Sequence, residues 1–113
     1  MINRTTIIGR LTSDPRIKVF EGDVRVASFT LAIDRSYSAE HETDFIPVTA
    51  WRKTAEIIEK YLSKGCLCGV TGRLQSRSYD PGDGTKRYVV EVVADEVQLL
   101  QSAEQTGAKN SGR

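Results

Sequence analysis

Apolar and polar residues alternate with a period of two over most of this chain, the pattern of strands with one buried and one open face, and a single stretch shifts to a helical period. Ile2 to Leu11 reads as a first strand and Val24 to Ile33 as a second, in which Phe29, Leu31 and Ile33 alternate with Ser28, Thr30 and Ala32. The connection Thr12-Ser-Asp-Pro and the turn Glu21-Gly22-Asp23 punctuate this half. After a polar loop from Ser36 to Thr43, a third strand from Asp44 to Trp51 sets Ile46, Val48 and Ala50 on one face. Phe45, Pro47, Thr49 and Trp51 fall on the other. Thr54 to Lys64 is predicted helical, with Ile57, Ile58, Tyr61 and Leu62 as its apolar stripe and Gly65 as its stop. Cys66 to Tyr79 returns to alternation, Asp80-Pro-Gly-Asp-Gly84 turns, and Arg87 to Val93 is a β-branched strand followed by a short apolar end, Val97 to Leu100.

Three strands, a helix and two strands is the order of the five-stranded OB barrel, an all-β fold with its one helix between strands three and four. Residues 1–100 are therefore expected to form a single OB-type domain, and residues 101–113, with almost nothing to bury, a polar flexible tail. The content of 39% hydrophobic and 27% charged residues agrees with a soluble globular domain and excludes wholesale disorder. No apolar run approaches the roughly 18 residues that span a bilayer, and the opening MINRTTIIGRL lacks a secretory hydrophobic region, so the expected location is cytoplasmic.

A net charge of +1 says little about partners, but its distribution does. Arg4, Arg10, Arg16 and Lys18 against Asp14 make the first twenty residues basic, whereas Asp34, Glu40, Glu42 and Asp44 against Arg35 make residues 34–44 acidic. On the third strand, if the aliphatic face is the core, Phe45 and Trp51 look outward, where nucleobases offer them π-faces to stack on. A covering subunit explains that strand equally well. The fourth strand repeats the arrangement: Cys68, Val70 and Leu74 share one parity, and Arg73, Gln75, Arg77 and Tyr79 the other. A row of guanidinium groups and an aromatic ring suits a phosphate backbone with splayed bases, and two strands with matching faces favour that reading over a merely solvated one.

Catalysis has little to stand on. The chain lacks a phosphate-binding G-x-x-x-x-G-K loop, a G-x-S-x-G elbow and an H-E-x-x-H pair, and its one histidine, His41, sits in an acidic loop. Cys66 and Cys68 are too close for an ordinary structural disulfide and, with His41, make three zinc ligands at most, so reduced thiols without a metal are expected. No catalytic residue, metal or cofactor is assigned.

Met1-Ile-Asn-Arg, Ile8-Gly-Arg-Leu-Thr, Asp14-Pro, Phe29-Thr-Leu-Ala, Trp51-Arg-Lys-Thr-Ala-Glu, Lys64-Gly, Gly72-Arg-Leu-Gln-Ser-Arg-Ser-Tyr79 and Tyr88-Val-Val-Glu-Val-Val-Ala-Asp95 together resemble the bacterial single-stranded DNA-binding protein family, in order, over about residues 1–100. The resemblance implies an OB fold, a homotetramer, and sequence-nonspecific wrapping of single-stranded DNA in replication, repair, recombination or DNA uptake. It places the stacking aromatics on Tyr37, Phe45, Trp51 and Tyr79, of which Tyr37 rests on the resemblance alone. It places backbone-contacting cations on Lys18, Lys53, Lys64 and Arg77, to which strand parity adds Arg73. Gln75 stands where some relatives carry a base, and Pro47 removes a ladder donor, which predicts a bulge or an edge. The sequence given ends in Asn-Ser-Gly-Arg where replicative members carry an acidic tip closing on Ile-Pro-Phe, so recruitment of proteins that dock on that tip is not expected. Two rivals remain at this stage: a primosome-like OB accessory protein working through protein contacts, and an enzyme using Cys66 and Cys68, which would need exposed, low-pKa thiols.

Overall fold

The computed structural model describes residues 1–36 and 39–103. Its elements are β1 (Thr5–Leu11), β2 (Arg16–Phe20), β3 (Val24–Asp34), β4 (Thr43–Trp51), α1 (Arg52–Tyr61), β5 (Leu67–Tyr79) and β6 (Arg87–Gln101). The sheet runs β1-β5-β6-β4-β3-β2, and β1 also pairs with β3, which closes β1, β5, β6, β4 and β3 into a five-membered ring. That is the OB-type barrel expected from the sequence, with β2 added outside the ring.

β2 was not foreseen, and its origin lies in the length of β3. The late part of β3 pairs with β1 at Arg10↔Ala32 and Leu11↔Leu31, while its early part pairs with β2 from Arg16↔Ser28 to Phe20↔Val24. Thus β1 and β2 occupy successive stretches of one edge of β3. The break between them is fixed by Thr12, whose N–H donates to the Thr30 carbonyl at 3.0 Å, and by Asp14, which accepts from the Lys64 backbone N–H at 2.8 Å. The helix consequently lies between the fourth and fifth strands of the actual order.

The barrel interior is filled by the predicted aliphatic faces: Phe29 and Leu31 from β3, Val48 and Ala50 from β4, Cys68 and Val70 from β5, and Val92 from β6 are all buried. β4 meets β6 in a short parallel pairing at Val48↔Val92 and Thr49↔Val93. Its other flank pairs with β3 without interruption, including Thr30↔Pro47, so Pro47 lies where β4 is an edge toward β6 and no bulge is needed.

The helix departs from its predicted stripe and limits. Ala55, Ile58 and the following Leu62 are buried, whereas Ile57 and Tyr61 are exposed. Spacing of i, i+3 and i+7 places the buried three on one face, and Ile57 and Tyr61, four apart, form a separate row. Lys60 Nζ lies 5.5 Å from the Tyr61 ring centroid, a cation covering part of that row. The helix stops at Leu62, which turns to an extended conformation (φ −102, ψ 143) and sinks into the core. Gly65, at φ +89, then turns the chain into β5, a conformation that favours glycine.

β5 and β6 carry the last feature that positions the site. Their ladder shifts register between Thr71 and Gly72, and from Arg73 onward β5 is exposed. Leu74, assigned by parity to the apolar row, is 47% exposed, because past Gly72 the strand leaves the barrel wall and pairs with β6 alone. Asn3 replaces the missing strand partner there: its side chain accepts from the Leu74 N–H and donates to the Leu74 carbonyl, both at 2.9 Å.

Candidate nucleic-acid interface

Outward side chains on β2, β3 and β4 align in rows because the three strands are in register. Lys18, Val26 and Trp51 form one row, Arg16, Ser28 and Thr49 the next, and Phe20 stands opposite Val24 beyond them. These rows form one wall of a groove whose other wall is the arm of β5 and β6, through Gln75, Arg77 and Glu91. Trp51 is 49% and Phe20 53% exposed, so each ring is anchored by one side and open on the other. Ser28 and Thr49 are small, which leaves room between the aromatic and basic groups.

The expected site residues divide between this groove and the surfaces beside it. Lys18, Trp51 and Arg77 come together in it. Phe45, 63% exposed, lies on the same face of β4 as Trp51, about 20 Å away at about 3.3 Å per residue. Tyr79 stands exposed at the far end of β5, opposite Arg87 on the arm. Lys53 is on the outer face of α1 beside Glu56, Ile57, Lys60 and Tyr61, and Lys64 is exposed on the loop leading to β5. Tyr37 falls outside the described residues. Phe45, Trp51, Tyr79 and the five expected cations are therefore all solvent-accessible, and a strand would have to leave the groove to reach Lys53, Lys64 or Tyr79.

Arg16 and Phe20 were missed because β2 was. The available signal was the alternation Arg16-Ile17-Lys18-Val19-Phe20 ahead of the Glu21-Gly22-Asp23 turn, the same basic and aromatic parity recognised on β5. These five residues, which lie between the Thr12-Ser-Asp-Pro connection and the Glu21-Gly22-Asp23 turn, are assigned no element from the sequence.

Several of the cations are already paired. Arg77 Nε donates to Glu91 Oε1 at 3.2 Å, and Arg73 lies 3.6 Å from Asp95, which is also 3.9 Å from Arg4. The last two pairs are about half exposed and screened by water, so they compete weakly with a phosphate. At the base of the acidic loop, Arg35 donates to both carboxylate oxygens of Asp44 and to Glu42. The Arg35 hydrogen bond holds the Asp44 carboxyl below its ordinary value, and the pair ties the two ends of the loop together. At the tip of the arm, Asp83 accepts from the N–H and hydroxyl of Thr85, which lowers its pKa in the same way.

The cysteines do not fit a redox or metal centre. Both are free and buried, burial raises the Cys66 thiol, and burial with the neighbouring Cys66 pushes Cys68 up to about 12. Among the described residues no group of three or more His, Cys, Asp and Glu could hold a metal ion, and no helix is long and apolar enough to cross a membrane.

Comparison with known proteins points to one family. The chain is 54% identical over 103 residues to single-stranded DNA-binding protein 3 of Clostridium acetobutylicum, covering 88% of this chain and 72% of that protein. It is 50% identical over 104 residues to single-stranded DNA-binding protein 1 of Staphylococcus aureus, covering 89% and 67%. With the single-stranded DNA-binding protein of Clostridium tetani it shares 48% identity over 114 residues, covering 98% and 79%. Residues 2–100 match the sequence profile of the single-strand binding protein family, and the chain belongs to that family.

Proposed function

We propose that the chain binds single-stranded DNA without sequence selectivity and protects it, in replication, repair, recombination or DNA uptake. The observation that carries this is the groove in which Trp51 and Phe20 stand exposed beside Arg16, Lys18 and Arg77. Bases stack on the rings, a contact worth about 1–3 kcal/mol each in single-strand binders of this class, and is indifferent to sequence because every base has a π-face. The cations neutralise phosphates and release condensed counterions, which makes affinity fall with salt. Phe45, Tyr37 and Tyr79 extend the stacking path, and Lys53, Lys64 and Arg73 extend the basic one. Nothing in this mechanism transforms the DNA, and the protein acts as a cytoplasmic binding protein rather than an enzyme.

The working form is a homotetramer of OB domains, each followed by a polar tail; because β6 takes in Gln101 and Ala103 packs against the core, the tail starts a few residues later than residue 101. Support for assembly comes from large apolar side chains outside the groove, including Ile8, Val90 and Leu100, each exposed on the free chain. The test is titration with oligo-dT of increasing length, with sedimentation of the protein before and after. Binding that tightens with length until the strand covers the assembly is expected. A chain that binds no length of oligo-dT overturns the function, and a monomer throughout overturns the assembly.

A further inference from the structure

The groove has a carboxylate in it. Glu91 on β6 is the one buried charged residue among the described residues, 8% exposed, and it lines the groove beside Arg16, Ser28, Thr49 and Arg77. By Coulomb's law alone this is an adverse place for a negative charge, since a phosphate must approach it. The geometry shows what offsets that cost. On the ladder Glu91 faces Gln75 while Arg77 faces Val89, so Glu91 and Arg77 are diagonal neighbours, and Arg77 donates its Nε to Glu91 Oε1.

This bond uses only the inner edge of the guanidinium. None of the described residues engages the two Nη groups, and the Arg77 side chain is 57% exposed where that of Glu91 is 10%. Glu91 thus holds the planar group through Nε and leaves the two Nη groups without a partner among the described residues, and those two are the edge that matches a phosphate with two parallel N–H donors. A free arginine on an exposed strand would have to be ordered on each encounter; this one is ordered in advance.

We propose that Glu91 is a positioning residue for DNA binding, which holds Arg77 so that its Nη groups face the phosphates of a strand in the groove. The inference rests on the single-strand binding reading above. It has an unusual sign: although removing an acid from a phosphate-binding groove should strengthen binding by charge alone, here it weakens binding.

The test is oligo-dT affinity across a range of salt for the wild type, E91A, E91Q, R77A and the E91A/R77A double variant. E91A is expected to lose roughly 3- to 10-fold in affinity, the worth of one net hydrogen bond. It should also flatten the slope of log K against log salt by about 0.7, one phosphate contact, as R77A does. E91Q keeps an acceptor oxygen and should regain most of the affinity, and adding E91A to R77A should cause no further loss and, with the adverse charge gone, a slight gain. Tighter binding by E91A, an unchanged salt slope, or an equal loss with and without Arg77 would overturn the role of Glu91 while leaving the functional reading intact. If E91A does not fold, E91Q decides by sign: affinity at or below wild type supports positioning, and tighter binding overturns it. Failure of the wild type to bind oligo-dT overturns both.

Discussion

Replacing Trp51 with alanine separates binding from folding. The residue is 49% exposed, so about half of a tryptophan's roughly 200 Å² is covered, or about 100 Å². At about 25 cal/mol per Å² that is about 2.5 kcal/mol as an upper bound, and about 1.5–2 kcal/mol against a realistically compact unfolded chain. Trp51 is the N-cap residue of α1 but makes no side-chain capping bond, so no capping loss adds to this. Binding should lose one stacked base, about 1–3 kcal/mol or about 5- to 150-fold in affinity. The control is Ile58→Ala, fully buried on the inner face of α1, which should cost about 2–5 kcal/mol of stability while its folded fraction binds normally. Denaturant unfolding gives one axis and oligo-dT titration the other. As the one tryptophan of the chain, Trp51 also reports binding in the wild type through quenching of its fluorescence. If W51A binds as tightly as wild type, the outer face of β4 is not a stacking platform and the reasoning fails.

Other outcomes follow from the fold. A Cβ at Gly72 would run into the Val93 backbone carbonyl, so Gly72→Ala should destabilise by about 3 kcal/mol or more, whereas Gly69→Ala, which meets only side chains and backbone at 3.7 Å or beyond, should stay within about 1 kcal/mol of wild type in chemical unfolding. Cys66 and Cys68 should resist alkylation in the native protein at pH 8 to 9 and react only as it unfolds, since the thiolate is the reactive form and burial pushes Cys68 up to about 12; rapid native labelling would reopen a redox role. Because Arg35 depresses the Asp44 carboxyl, the stability from that pair is complete above the ordinary value of 3.8 and lost as pH falls through the lower folded value. Arg35→Ala should therefore lose less stability than wild type on titration from about pH 5 to about pH 2, and an unchanged acid limb would show the pair to be idle.

How far the sequence could be read depended on whether strand faces were buried on one side. β3 and β4 were legible because each turns an unbroken aliphatic face to the barrel, which fixes the outward side of Trp51 and Phe45 without further information. β5 was legible only as far as Gly72. Beyond it, the alternation persists in the sequence but the barrel does not, so Arg77 lines the groove while Leu74, on the opposite parity, finds no core to bury it. β2 has no buried face to announce it: only Ile17 is partly covered, and its pairing depends on β3 being long enough to hold two partners in succession. The helical stripe failed by one row because Ile57 and Tyr61 are as apolar as Ile58 and Leu62, and periodicity alone does not say which of two adjacent rows meets the core. Glu91 could not have been found from sequence, for its role depends on a diagonal contact across a hairpin.

Stacking of unpaired bases in a basic groove is tested by the affinity for one oligonucleotide in single-stranded and in duplex form, taken at two salt concentrations. Bases locked in a duplex offer no free π-face, so the single strand should bind far more tightly at both salts. Raising salt should weaken the single-strand complex with a slope of about −0.7 per phosphate contacted, about −4.2 if Arg16, Lys18, Lys53, Lys64, Arg73 and Arg77 all engage, and less where Asp95 retains Arg73. Equal affinity for the two forms would contradict the account, because it would mean that charge alone holds the DNA and that the exposed aromatic rings do not.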